Sequence, residues 1–168
     1  DQASLSAIAW SPDGSYLASS SPRWKVSPNV AVWDVRRSKV IQEFEVNGLD
    51  SVSWSARDQL LAMPDGYIGR IVLFDLAKES ARTCTDIPNP ISVAWHPSQS
   101  LLVVGTKTGK CFLWNDDLRI VTASWDAHRE FVTSMQWNPT GTLVASAGKD
   151  GIINVHDPFA NVRLRNFK

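Results

Sequence analysis

Four tryptophans set the terms for this chain. Trp10, Trp54, Trp95 and Trp137 stand 44, 41 and 42 residues apart, and each closes a short run: Ala7-Ile8-Ala9-Trp10, Ser51-Val52-Ser53-Trp54, Ser92-Val93-Ala94-Trp95 and Ser134-Met135-Gln136-Trp137. A second series keeps step with the first: Val32-Trp33-Asp34, Leu73-Phe74-Asp75, Leu113-Trp114-Asn115 and Val155-His156-Asp157. Self-similarity at a fixed period of this size means copies of one supersecondary unit, each burying its apolar face against the next. The 168 residues accommodate four such units, approximately 1–46, 47–87, 88–126 and 127–168.

Within a unit the patterning is that of strands. After the first Trp comes a turn such as Ser11-Pro12-Asp13-Gly14, His96-Pro97-Ser98-Gln99 or Asn138-Pro139-Thr140-Gly141, rich in residues that preset turn geometry. A compact apolar run follows (residues 16–19, 60–63, 101–104 and 143–146), then a turn containing Gly or Asn, then the Trp-Asp strand. A more amphipathic segment closes the unit, as at 39–45 and 161–167. Four short strands per unit with turn signals every 8–12 residues predict an all-β chain, and no stretch supports a helical period.

The chain resembles the WD40 repeat family along essentially its whole length. The residues that carry the resemblance are Trp33-Asp34, its variants Phe74-Asp75, Trp114-Asn115 and His156-Asp157, and the four Trp-turn elements. The resemblance implies a β-propeller with four four-stranded blades, part of a larger propeller or completed by another chain. It also implies a buried tetrad of His, Ser or Thr, Asp and Trp. The fourth unit offers His128, Ser146 and Asp150 but has His156 in the Trp position; the first offers Trp33 without the His. No unit matches the full tetrad, so apolar packing is expected to take a larger share. Trp33, Trp114, His128, Ser146 and Asp150 are expected to be structural, and most families of this kind close at about seven blades. Four blades would leave two apolar faces in water.

Composition narrows the function. Lys and Arg number 17 and Asp and Glu number 17, so the basic surplus usual in a nucleic-acid binder is missing. No apolar run approaches the 20 or so residues of a membrane span, and the first residues show no signal peptide. Two cysteines, Cys84 and Cys111, are too few for a disulfide framework, which points to an intracellular setting, cytoplasmic or nuclear. Of the three histidines, none stands at metal-ligand spacing from a Cys or acidic residue, and no nucleophile, metal or phosphate-loop motif is present. No cofactor is expected.

Recognition is therefore expected from loops on a rigid scaffold. The resemblance places the turns between second and third strands, and those between units, on one face. In the first unit that turn is expanded to residues 20–29 and carries Arg23-Trp24-Lys25, residue types that dominate interfaces; the alternative is that Trp24 lies over a neighbouring unit as a lid. The same face is expected to hold Tyr67, Arg70, Lys107, Arg129, Glu130 and Lys149, a mildly basic set suited to an acidic or phosphorylated peptide. Ser21-Pro22 and Ser27-Pro28 have the form of proline-directed phosphorylation sites. On the opposite face, Trp33-Asp34-Val35-Arg36 is similar to the box by which some WD40 proteins dock on the adaptor of cullin-RING ubiquitin ligases, through Asp34 and Arg36. The function expected is a non-catalytic protein-interaction scaffold. The alternatives are a substrate receptor of such a ligase and, from another class, a propeller enzyme with its site at the channel mouth.

Overall fold

A computed structural model describes residues 5–21, 28–46, 51–85, 87–116 and 119–168. These form sixteen strands and, among the described residues, no helix. The first unit contains β1 (Ala7–Trp10), β2 (Tyr16–Ser20), β3 (Val30–Asp34) and β4 (Lys39–Phe44). The second contains β5 (Ser53–Trp54), β6 (Leu60–Asp65), β7 (Arg70–Asp75) and β8 (Ser80–Cys84). The third contains β9 (Pro90–Trp95), β10 (Leu101–Thr106), β11 (Lys110–Asn115) and β12 (Ile120–Asp126). The fourth contains β13 (Val132–Trp137), β14 (Val144–Gly148), β15 (Ile153–Asp157) and β16 (Val162–Phe167). Each unit is one antiparallel sheet in simple up-and-down order. The first strands lie side by side, β1 against β5, β5 against β9 and β9 against β13.

The Trp-Asp aspartates explain the third turn of each unit. In the first, second and fourth units the carboxylate caps that turn: Asp34 accepts from the Arg37 backbone N–H, Asp75 from Lys78, and Asp157 from Phe159 and Ala160. Each of the four turns then closes on a left-handed residue, Ser38, Glu79, Arg119 or Asn161, all with φ between 50° and 55°. A short oxygen-bearing side chain that satisfies turn N–H groups is what such a turn needs.

Three apolar layers hold neighbouring units together. The first packs Ala18, Val30 and Val32 of unit one against Trp54, Leu61, Met63 and Phe74 of unit two. The second packs Ala62, Ile71 and Leu73 against Trp95, Leu102, Val104 and Trp114. The third packs Val103, Cys111, Leu113 and Trp125 against Val132, Trp137 and Val144. Full burial of each Leu, Val or Met here contributes on the order of 1.5–3 kcal/mol. Burial pushes the Cys111 thiol far above its usual range, so it packs as a small apolar group.

The stack ends open on both sides. Ile8 is 63% exposed and Trp10 56% on the first unit, and Ile153 is 47% exposed and Phe167 54% on the last. Every residue of β16 is exposed, so the amphipathic character of the unit-closing segment finds no counterpart in burial there. Among the described residues no other strand covers the apolar residues of β16.

Candidate functional site

The turns between second and third strands and the connections between units converge on one face. Lys107, in the β10–β11 turn, donates from Nζ to the Gly66 carbonyl in the β6–β7 turn at 3.0 Å, and its backbone N–H reaches the Asn89 carbonyl at 3.1 Å. The Gly109 carbonyl accepts the N–H groups of Ala127 and His128. Gly109 must be glycine: φ is +81°, and a Cβ would stand 2.0 Å from the His128 carbonyl oxygen. On the far side Lys149 donates its N–H to the Phe131 carbonyl at 2.9 Å. The turns of units two, three and four are thus stitched into one surface by the Lys107 side chain and by backbone hydrogen bonds.

The side chains on that surface are not equivalent. Arg70 pairs with Asp65, whose carboxylate is fully buried and also accepts the Ile68 N–H, so this cation neutralises an internal charge. Lys107 is anchored but stays at the rim. Arg129 and Glu130 are exposed, and the Arg129 N–H donates to Asp150. The Lys149 ammonium sits 5.3 Å from the centre of the Phe131 ring, a cation–π arrangement. Tyr67 is 84% exposed beside the exposed Ile68, and Phe131 is 40% exposed. Phe131 and Ile68 are surface apolar residues that the sequence reading missed; their place in sequence directly after Glu130 and Tyr67 was the available signal. Arg23, Trp24 and Lys25 lie outside the described residues. The mouth of their turn is described: buried Asn29 bonds both the Ser21 carbonyl and the Val46 backbone, the latter through both amide atoms. Ser21 is itself buried with Oγ turned to the Asn29 carbonyl at 3.5 Å. Ser27 lies outside the described residues.

On the opposite face the Asp34 carboxylate pairs with Arg37, at 3.3 Å, and not with Arg36, which is exposed. Asp34 also accepts the Arg37 backbone N–H and so caps its turn. The inner wall formed by the four first strands is an open groove of 570 Å³ lined by small and polar side chains, among them Ser51, Ser53, Ser134 and Gln136. Hydroxyls do part of the work of a ladder here: Ser51 Oγ accepts the Val93 N–H and Ser53 Oγ the Trp95 N–H.

In the fourth unit Ser146 Oγ lies 2.9 Å from His128 Nε2, and His128 Nδ1 lies 3.1 Å from Asp150. Burial alone would raise the Asp150 pKa, but hydrogen bonds from Arg129 N–H, His128 and Ile152 N–H outweigh it and hold the carboxyl below its usual value. Ser, His and Asp in this order resemble a hydrolase triad, yet Ser146 is buried between sheets where no carbonyl substrate can approach. In the first unit Trp33 donates from Nε1 to Ser19 Oγ at 2.9 Å; in the third, Trp114 donates to Asp116 at 3.4 Å. Among the described residues no group of three or more His, Cys, Asp or Glu could hold a metal ion.

Residues 1–34, 81–115 and 117–157 match the model described as WD domain, G-beta repeat, and each segment contains one whole or partial Trp-strand signature. The chain belongs to the WD40 repeat family. It is 27% identical over 124 residues to Periodic tryptophan protein 2 homolog of Caenorhabditis elegans, covering 71% of this chain and 13% of that protein. To Actin-interacting protein 1 of the same organism it is 25% identical over 155 residues, 88% of this chain and 25% of that one. To Target of rapamycin complex subunit wat1 of Schizosaccharomyces pombe it is 26% identical over 168 residues, 90% of this chain and 50% of that protein. The chain thus spans half or less of the length of these WD40 relatives. Residues 35–80 fall outside the matched WD40 segments, but β5 to β8 build there the same four-stranded sheet. Met63 and Val104 occupy the register position of Ser19 and Ser146, so two of the four WD40 blades fill with apolar groups what the others fill with a hydroxyl.

Proposed function

We propose that this chain is a non-catalytic WD40 scaffold that binds acidic or phosphorylated segments of partner proteins on its loop face. The observation that carries this reading is Lys149 beside the ring of exposed Phe131 and Lys107 anchored on Gly66, next in sequence to exposed Tyr67, with Arg129 exposed and Arg70 already neutralised by Asp65. Cations beside aromatic surface suit a carboxylate- or phosphate-bearing peptide with an apolar side chain. That relatives include a subunit of a named complex and an actin-interacting protein agrees with an assembly role.

The test is a fluorescence-anisotropy titration with a labelled Asp/Glu-rich peptide, with and without phosphoserine. Reversing two charges, Lys107→Glu with Lys149→Glu, is expected to weaken binding at least tenfold, and added salt to do the same. Affinity that ignores both would dismiss the loop face. Trp24→Ala examines the long turn separately and is expected to cost ~2 kcal/mol of binding while leaving the fold intact. The adaptor-docking alternative uses Asp34 and Arg36, and an adaptor pull-down that survives Arg36→Ala removes it.

A further inference from the structure

The open face of the fourth unit carries a specific imprint. In the three internal interfaces the same register positions of one unit meet the next. On unit four those positions are Gln136, Leu143, Ala145, Ile153, Val155, Arg165 and Phe167. Burial confirms the sidedness: Val144, Ser146, Asn154 and His156, facing unit three, are buried, while their neighbours at 143, 145, 153 and 155 are exposed or half-exposed.

Two of these positions have polar partners inside the chain. The residue before each first-strand Trp offers its carbonyl to the next unit's Trp: Trp54 Nε1 donates to Ala9 and Trp137 Nε1 to Ala94, each at 3.1 Å. Trp95 is the exception, its indole nitrogen buried without a partner. Gln136 is the corresponding carbonyl of unit four. The second position is on the outer strand. Arg82 stands opposite Leu73 and forks onto Asp116 of the following unit at 2.5 and 2.6 Å. Arg165 stands opposite Val155 in the same register, directly before His156 as Leu73 stands before Phe74. Residues opposite each other in adjacent antiparallel strands share a face, so Arg165 belongs to the open face as Arg82 belongs to its interface.

We infer that the open face of unit four is a docking surface for a WD-type unit of one kind. That unit has a Trp closing its first strand, aimed at the Gln136 carbonyl. It has an aspartate two residues after its Trp-strand aromatic, placed to fork with Arg165. Unit three has both features, in Trp95 and Asp116. A second copy of this chain fits less well: its first unit presents Trp10 to Gln136, but Val35 where Arg165 requires an acid. The inference is one of charge complementarity and continuity with the apolar layers between units, in which the chain forms the Trp bond twice and the Arg–Asp fork once.

The test extends the whole chain by a copy of residues 88–126. The extended chain is expected to melt at least about 5 °C higher than the 168-residue chain and to bind less of an apolar-surface dye. Arg165→Ala should remove much of that gain in the extended chain and leave the 168-residue chain unchanged. A charge swap, Arg165→Asp with arginine at the appended Asp116 counterpart, should restore the gain, and this rescue separates a broken pair from a misfolded extension. Three results would overturn the inference: no gain on extension, an equal gain from an appended copy of residues 127–168, where proline replaces the aspartate, or a stable dimer of the 168-residue chain that survives Arg165→Glu.

Discussion

Nε2 of His96 lies 2.9 Å from the carbonyl oxygen of Gly141, across the boundary between the third and fourth units. On the other side of the ring, Nδ1 accepts the backbone N–H groups of Ser98 and Gln99, both at 3.0 Å. An imidazole that accepts at Nδ1 and donates at Nε2 is neutral; protonation would abolish both Nδ1 bonds. Burial accordingly pushes the His96 pKa below its ordinary 6.5, against the bond to Gly141 that raises it. His156 is shifted the same way, by burial first and Arg163 second, against Asn161 and Asp157. The unfolded chain takes up protons near pH 6.5 that the folded chain refuses. Stability is therefore full above pH 6.5 and falls as pH drops from there towards the folded pKa values, by at most about 1.4 kcal/mol per pH unit for each histidine. Urea unfolding between pH 8 and 5 measures the slope, and His96→Gln should flatten it. A midpoint that stays level over this range would contradict the assignment.

Gly141 is fixed by the same contact. A Cβ there would stand 2.2 Å from His96 Nε2, and φ is +71°. Gly141→Ala is expected to destabilise by about 2–4 kcal/mol, from strain and from the displaced ring together. Gly14 is the control: φ is +68° but the space beside it is open, so Gly14→Ala should cost about 1 kcal/mol. Equal losses at the two positions in thermal melts would mean that the His96 contact contributes nothing.

His156 presents the opposite case, a buried polar ring that the fold does not use. It stacks on Trp125 with centroids 4.7 Å apart, and neither ring nitrogen has a hydrogen-bond partner. Asn161 approaches without completing a bond. Phenylalanine keeps the stack and removes two unsatisfied nitrogens, so His156→Phe is expected to stabilise by about 1 kcal/mol and to remove part of the acid sensitivity. A lower melting temperature for the variant would show that the ring is bonded in solution.

Period and register were legible in the sequence because each unit must bury its apolar face against the next, and the Trp positions report that burial directly. The all-β blades and the WD40 relationship follow from it. Contacts between units were not legible. Nothing in His96-Pro97 announces a partner 45 residues away, and Arg82 and Asp116 are charged residues in segments that read as solvated. The ion pair of Asp34 with Arg37 was not legible either, because turn geometry, not the Trp-Asp signature, selects that partner. The loop face was legible as a set of positions, but not in its division of labour: that Arg70 is consumed by a buried aspartate depends on the burial of Asp65, invisible before the turn is folded.

The Arg82–Asp116 fork allows the sharpest energetic test of how the units are joined. Asp116 is 8% exposed at its side chain and Arg82 34%, so the two ends of the pair are unequally dependent on each other. Removing the arginine strands a buried carboxylate, which among the described residues keeps only the Trp114 indole N–H as a side-chain donor. Removing the acid leaves an arginine that can turn to water. Arg82→Ala is therefore expected to cost about 3 kcal/mol near neutral pH, and Asp116→Asn only about 1–2 kcal/mol, because the amide still accepts from Trp114. Urea midpoints for both variants at pH 7 decide it. If the two deficits match at pH 7, the asymmetry in burial has no energetic consequence, and the fork is a surface pair rather than a clamp between the second and third units.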